Sequence, residues 1–367
     1  MSSGVRAAVP CIVPDNLAAF RSYPMAKRVV FFNHKGGVSK TTSAYNIAWM
    51  AAREHRVLLV DCDPQCNLTA LILRDNFDKY YVDDATKENN IKDGVAPAFS
   101  GKPVPISAVD CPTAVRNNNL YLLAGHPNLS EYDAALTFAQ TSNNALTTLQ
   151  NLPGAFAALL QLTEQKYQID FTFIDLNPGM SAINQNIFLV SDAFVIPTNP
   201  DPFSIMALDT LRTILPRWVA WKTTAVPLFA ESAYPLPSGV PKFIGTLIQR
   251  FNIRNGKAAK PYRENIGEIQ DKVRSEFVPA LRVSGMALTP EQYGPELIAS
   301  GYCLSEIPDF QGLLPKAHDA GVPVFAIRDN EIREAGNVLA GMKEKRALFR
   351  QQFESLSDLI EEKLAYA

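Results

Sequence analysis

Residues Asn33-His34-Lys35-Gly36-Gly37-Val38-Ser39-Lys40-Thr41-Thr42 combine glycines, lysines and hydroxyls in a spacing suited to holding phosphate. The stretch follows the apolar run Val29–Phe32 and opens a helix-length pattern over Thr42–Glu54. Backbone N–H groups at a helix N-terminus point at an anion, and the helix dipole favours negative charge there. Gly36 and Gly37 let the chain turn against phosphate oxygens without a Cβ clash. Lys40 is placed to reach β- and γ-phosphates and the Thr41 hydroxyl to bind Mg2+, with Val38, Ser39 and Thr42 completing the cradle. The ordinary pattern G-x-x-x-x-G-K-[ST] is not met, because His34 and Ser39 stand where its glycines belong. The variant K-G-G-x-x-K-[ST] is met, with a second lysine, Lys35, ahead of the glycines.

Carboxylates follow two later apolar runs. Asp61-Cys62-Asp63-Pro64-Gln65-Cys66-Asn67 comes after Val57–Val60, and Asp175-Leu176-Asn177-Pro178-Gly179 after Phe171–Ile174. Phosphoryl transfer to water needs charge neutralisation, an aligned water and exclusion of bulk solvent. Lys40, Thr41 and Mg2+ supply the first. Asp63 is placed to orient the water, and Asp61 and Asp175 to hold the Mg2+ shell, because ligands of open α/β sheets bind at the carboxyl ends of strands. Asp61 and Asp63 also suit a turn or helix cap.

The elements that must carry these residues are legible as short apolar runs alternating with helical patterns. Besides the runs already named there are Leu120–Ala124, Ala193–Ile196, Phe243–Ile248 and Val324–Ile327, each suited to a strand buried on both faces. Helical stretches lie between them, among them Phe203–Trp221 and Asn265–Leu281. The alternation predicts a three-layer α/β fold with a doubly wound, mainly parallel sheet. Residues 1–26 read as an N-terminal extension and 27–364 as one domain, with insertions at about 83–119, 141–165 and 223–240. The first and last of these are expected to be loop and the middle one helical. The tail, Glu331–Leu364, is a long helical pattern with Phe349, Phe353, Leu356, Ile360 and Leu364 on one side.

Composition narrows the function classes. The 367 residues are 47% hydrophobic and 20% charged, which excludes a largely disordered chain. The net charge of −2 gives no global attraction to nucleic acid, so any such partner must be met by a local patch. No apolar run approaches the roughly 18 residues a membrane helix needs. Pro10 and Pro14 break the start, which is expected to be no signal peptide. Cys11, Cys62, Cys66, Cys111 and Cys303 are scattered and odd in number, predicting a reducing cytoplasm. Cys62 and Cys66 lack the further ligands of a zinc site, and the four histidines show no metal or triad spacing. Glu354, Asp358, Glu361 and Glu362 give the last helix an acidic polar face, which argues against anionic membranes.

Together the three phosphate-side segments resemble the deviant Walker-A ATPases of the ParA/MinD family, with D-x-D-P-Q-x-N as switch I and the Asp175 stretch as Walker B and switch II. Asn177 departs from the family's frequent D-x-P-P. Glu306-Ile307-Pro308-Asp309 and Gly321-Val322-Pro323-Val324 also resemble the family, which implies that Pro308 and Asp309 help enclose the adenine of ATP. The resemblance further implies that Lys35 crosses a homodimer interface to the other subunit's nucleotide, as an arginine finger does in trans. It implies an ATP-dependent dimerising switch with slow hydrolysis, which binds non-specific double-stranded DNA and is reset by a stimulating partner protein. Basic residues between Lys242 and Arg282 offer a candidate DNA surface, foremost Arg250, Arg254, Lys257, Lys260 and Arg263. An ordinary solvated helix surface has the same composition. DNA binding would make the cytoplasmic protein nucleoid-associated. Two other readings stay open: a nucleotide-gated module acting on a protein partner without DNA, and a metabolic P-loop ligase or kinase.

Overall fold

A computed structural model describes residues 25–142, 149–254 and 257–367, with only the backbone of Arg254 and Lys257. The expected extension therefore lies almost wholly outside the described residues, as does Cys11.

Among the described residues ten strands form in chain order: β1 (Lys27–Phe31), β2 (Val57–Cys62), β3 (Thr113–Ala114), β4 (Asn117–Leu123), β5 (Phe171–Leu176), β6 (Ala193–Thr198), β7 (Lys242–Gln249), β8 (Ile253–Arg254), β9 (Lys257–Ala258) and β10 (Cys303–Ile307). Eight of them make one sheet in the order β10-β7-β6-β1-β5-β2-β4-β3, while β8 and β9 pair separately. Every neighbour in the large sheet is parallel except β3 with β4. All residues of β2 and β6 are buried, as expected for strands covered by helices on both faces.

The helices of the first half are α1 (Lys40–Ala51), α2 (Asn67–Leu73), α3 (Phe77–Tyr80), α4 (Ile91–Phe99), α5 (Asp133–Thr141), α6 (Leu152–Tyr167) and α7 (Ala182–Leu189). Those of the second half are α8 (Pro202–Leu228), α9 (Lys260–Lys272), α10 (Val278–Val283), α11 (Pro290–Tyr293), α12 (Pro295–Ala299), α13 (Leu313–Ala320), α14 (Asp329–Ile332) and α15 (Gly336–Leu364). One helical layer includes α1 packed on α15, and the other includes α6, α7, α8 and α9. The predicted stripe Phe349, Phe353, Leu356, Ile360 and Leu364 is the buried side of α15. Phe32, just after β1, interlocks with Phe188 of α7 and Trp218 of α8, with ring centroids 5.5–5.7 Å apart.

A buried polar cluster sits at the amino ends of the central strands. Arg28 on β1 donates from Nε and Nη2 to the two carboxylate oxygens of Glu164 on α6, each at 2.8 Å. Thr172 Oγ1 donates to the same carboxylate at 2.8 Å, and the Arg28 amide donates to Asp192 at 2.7 Å. Both side chains of the pair are buried.

Several local expectations need correction. Val324–Ile327 is not a strand: Val324–Ala326 is a 3-10 turn, since a short apolar run marks burial without specifying strand geometry. The edge strand β10 takes a place the apolar runs did not mark, because its Ser305 and Glu306 interrupt the run on a partly exposed edge. The insertion at 83–119 is not all loop. It carries α4, whose N-cap Asn90 accepts the Asp93 amide, and then β3 and the start of β4. Helix α8 continues to Leu228, well into the segment read as loop, and accommodates Pro216 and Pro227. In the insertion at 141–165, residues 143–148 are outside the described residues and the remainder is mainly α6. Gly154 on α6 is a close-approach glycine: a Cβ there would lie 1.8 Å from the Tyr234 carbonyl oxygen.

Candidate nucleotide site

The chain leaves β1, turns through Gly37 at φ +73° and Ser39 at φ +60°, and enters α1. The positive φ at Gly37 is the conformation for which a glycine was expected. No side chain among the described residues caps α1 and its first turn holds no acidic residue, so the helix N-terminus is left open to an anion. Asn33 braces the entry, donating from Nδ2 to the Pro197 carbonyl at 2.9 Å and accepting the Lys35 amide at 3.0 Å.

A cleft of about 810 Å³ opens over this loop. Its walls include Gly36 to Thr42 on the loop, Asp63 on the segment after β2, Asn177 and Pro178 after β5, and Pro308, Asp309 and Phe310 after β10. The fold thus brings the loop residues, Asp63, Pro308 and Asp309 to one cavity. Burial lowers the Lys40 ammonium pKa, against the opposing charges of Asp175 and Asp63.

The two buried aspartates face one another across adjacent strands, Asp61 being in register with Asp175. Asp175 Oδ2 accepts the Thr41 hydroxyl at 2.6 Å, while its Oδ1 is buried without a hydrogen-bond partner among the described residues. Burial first, and then the charge of Asp61, hold its carboxyl well above the usual range. A partnerless buried carboxylate oxygen beside a hydroxyl is a fitting donor set for a hard cation such as Mg2+. Asp61 differs. Its Oδ2 accepts both the Thr69 amide at 2.8 Å and the Thr69 hydroxyl at 2.7 Å, and its Oδ1 accepts the Asp63 amide at 3.1 Å. Burial still raises its pKa to about 6. With these acceptor positions occupied, Asp61 is arranged to hold the segment carrying Asp63, and the geometry favours Asp175 and Thr41 over Asp61 as cation ligands.

Lys35 is held at the start of α8. Its Nζ lies 2.7 and 2.5 Å from the Asp201 oxygens and 3.1 Å from Ser204 Oγ, with the Phe203 ring centroid 5.8 Å off. Asp201 is also the N-cap of α8.

The basic residues proposed for DNA do not act as one set. Arg250 stands in the wall of the cleft, and its Nη1 donates to the Gly37 carbonyl at 3.0 Å. Lys260 and Arg263 are exposed at the start of α9, with no ion pair among the described residues. The side chains of Arg254 and Lys257 lie outside the described residues. Further along, Lys272 pairs with Asp209 at 2.9 Å and Arg274 with Asp271 at 3.2 Å, so much of the local positive charge is already compensated. Sequence reasoning missed Asn199 and Gln249, which contact the loop. The signal for both was available: each closes or follows a strand whose carboxyl end faces the cleft.

A parallel sheet whose first strand feeds a glycine turn and an open helix N-terminus defines a P-loop NTPase fold. A family model described as an AAA domain matches residues 26–219. With that match and the deviant Walker-A motifs, the chain belongs to this family, in its ParA/MinD group. A ParA family protein of Mycoplasma pneumoniae is 25% identical over 235 residues, covering 61% of this chain and 79% of that one. A Methanocaldococcus jannaschii protein is 29% identical over 187 residues, covering 50% of this chain and 64% of its own length. A Mycobacterium tuberculosis relative is matched over 57% of its length, so the chain spans less than two thirds of either of these two relatives. The solved structure of pNOB8 ParA bound to nonspecific DNA superposes with a TM-score of 0.53 over 93% of this chain and 99% of that one. At 16% identity it shows the shared fold. Among the described residues, no helix is long and apolar enough to cross a membrane.

Proposed function

We propose that the chain is an ATP-dependent switch that binds ATP with Mg2+, dimerises around the nucleotide and hydrolyses it slowly. The observation that carries this reading is the convergence of the Lys40 loop and Asp63 on one cleft, with the half-satisfied Asp175 buried directly behind it and bonded to the loop's Thr41. Lys40 and the α1 N-terminus hold the phosphates. Thr41 and Asp175 hold Mg2+, which supplies charge neutralisation when bound. Asp63 orients the attacking water, kept in place by the hydrogen bond from its amide to Asp61. Pro308 and Asp309 border the base. Lys35 serves a partner subunit's nucleotide, which requires it to leave Asp201.

The output proposed for the dimer is binding of non-specific double-stranded DNA through Lys260, Arg263 and the adjoining Arg254 and Lys257, with a stimulating protein resetting the cycle. Two such patches on one dimer gain effective concentration over one. The ion pairs that compensate Lys272 and Arg274 favour a second reading, in which the dimer engages a protein partner without DNA. Light scattering and fluorescence anisotropy on random duplex DNA, in apo, ADP and ATP states, separate the two. Dimerisation with ATP alone and salt-sensitive DNA binding by that dimer support the first. Dimerisation without DNA binding at low salt leaves the second. No ATP-dependent change in size removes the switch itself.

A further inference from the structure

The Gly37 carbonyl accepts two side-chain hydrogen bonds from outside the phosphate loop. Arg250 Nη1 approaches at 3.0 Å from just beyond β7, and Asn199 Nδ2 at 3.1 Å from just beyond β6. The next carbonyl, that of Val38, receives Gln249 Nε2 at 3.4 Å, and the same amide group holds Ser43 Oγ on α1 at 2.6 Å. Two successive loop carbonyls are therefore drawn toward the ends of β6 and β7.

Peptide geometry gives this a consequence. A trans peptide is planar, with its C=O and N–H on opposite sides, and the described residues contain no cis bond. Anchoring the Gly37 oxygen fixes the direction of the Val38 N–H in the opposite sense. Glycine at 37, with φ +73°, leaves this peptide otherwise easy to rotate. A cradle built of main-chain N–H groups binds anions well only if those groups are already aimed, because reorientation on binding costs affinity.

We infer that Arg250 and Asn199 are positioning residues for a polyphosphate, acting through the Gly37 carbonyl to preset the Val38 amide of the loop. This rests on the nucleotide reading of the cleft and withdraws Arg250 from the DNA surface.

The test compares Mg-ATP with Mg-tripolyphosphate, which carries the phosphates and no base, by titration calorimetry or by competition against a fluorescent ATP analogue. Arg250→Ala is expected to weaken both probes by the same factor, about tenfold. Asn199→Ala is expected to weaken both by a few-fold, and the double variant by less than the product, since both donors share one acceptor. Arg250→Lys, which keeps one donor, should recover part of the loss. Melting of the nucleotide-free protein should stay within a degree or two for Asn199→Ala and Arg250→Lys, which separates loop presetting from general destabilisation. Weakened ATP with unchanged tripolyphosphate would overturn the inference, because Arg250 would then be reading base or ribose. Unchanged affinity for both would overturn it as well. If the wild-type chain bound neither probe, the nucleotide reading itself would fall.

Discussion

The sheet carries buried charge at both ends, and the two ends are built on opposite rules. At the amino ends, Arg28 and Glu164 meet through a bidentate pair, and Thr172 and Asp192 occupy further hydrogen-bonding positions. At the carboxyl ends, Asp61 and Asp175 stand side by side on in-register strands, one oxygen of Asp175 has no partner among the described residues, and both carboxyls are pushed toward the protonated form. A closed network in a low-dielectric interior fixes one arrangement. An open one of like charges holds affinity in reserve for a cation from outside. Burial alone therefore does not distinguish structural from functional charge; the unfilled valence does.

Breaking the closed end should have the largest effect. Glu164→Ala leaves the Arg28 guanidinium buried without its anion and is expected to cost about 3–5 kcal/mol in chemical denaturation. Nucleotide affinity of the molecules that remain folded should be unchanged. Breaking the open end should reverse the pattern. Lys40→Ala is expected to weaken ATP by at least about a hundredfold, close to 3 kcal/mol, with apo stability nearly unaltered.

Asp175→Asn sharpens the contrast through pH. A carboxyl whose pKa is raised on folding binds its proton more tightly in the native state, so stability falls as pH rises from the ordinary carboxylate range toward the raised value. The asparagine variant lacks that fall. In chelator and without nucleotide, its stability relative to wild type should improve with rising pH from about pH 4, by at most about 1.4 kcal/mol per unit. Asp61 leaves a residual slope in both proteins up to about pH 6. Magnesium-dependent hydrolysis should be lost. A gap that stays constant with pH would remove the carboxyl pair as an electrostatic reserve.

The smallest expected effect lies on the rim, at Lys35 and Asp201, which are both partly exposed. Asp201→Asn keeps a side-chain cap on α8 and is expected to change stability by less than about 1 kcal/mol. It should lower the ATP concentration needed for dimerisation a few-fold, by releasing Lys35. Lys35→Ala should keep monomer ATP binding and lose dimerisation. Equal loss of ATP binding in Lys35→Ala and Lys40→Ala would leave the trans role of Lys35 unsupported.

The contrast also explains what could be read in the amino-acid order. The phosphate loop and the Asp61, Asp63 and Asp175 segments were legible because each motif is contiguous and ends a buried strand. Six of the seven apolar runs are strands; the seventh, at Val324, is a turn, because burial of a short run is compatible with either geometry. The cleft's far wall was harder to place. Arg250 reads as one basic residue among many, and only the pairing of β7 with β6 and β10 carries it to Gly37. The closed end was not visible at all, because Arg28, Glu164, Thr172 and Asp192 are joined by tertiary packing with no shared spacing. The parking of Lys35 on Asp201 spans 166 positions and was hidden for the same reason.

The pairing of β2 with β5 works as a ruler. Six residue pairs, from Val57 with Phe171 to Cys62 with Leu176, advance together at about 3.3 Å per residue. One residue gained or lost inside either strand would carry its aspartate about that far along the sheet and turn it to the opposite face. Apolar identity along the ruler is thus exchangeable, while its count is not. Room for a change of length lies in the chain between the graduations, where α4 and the β3–β4 turn stand between β2 and β5 and the 27-residue α8 between β6 and β7. Sequence drift in this protein should accordingly be generous in letters and strict in arithmetic.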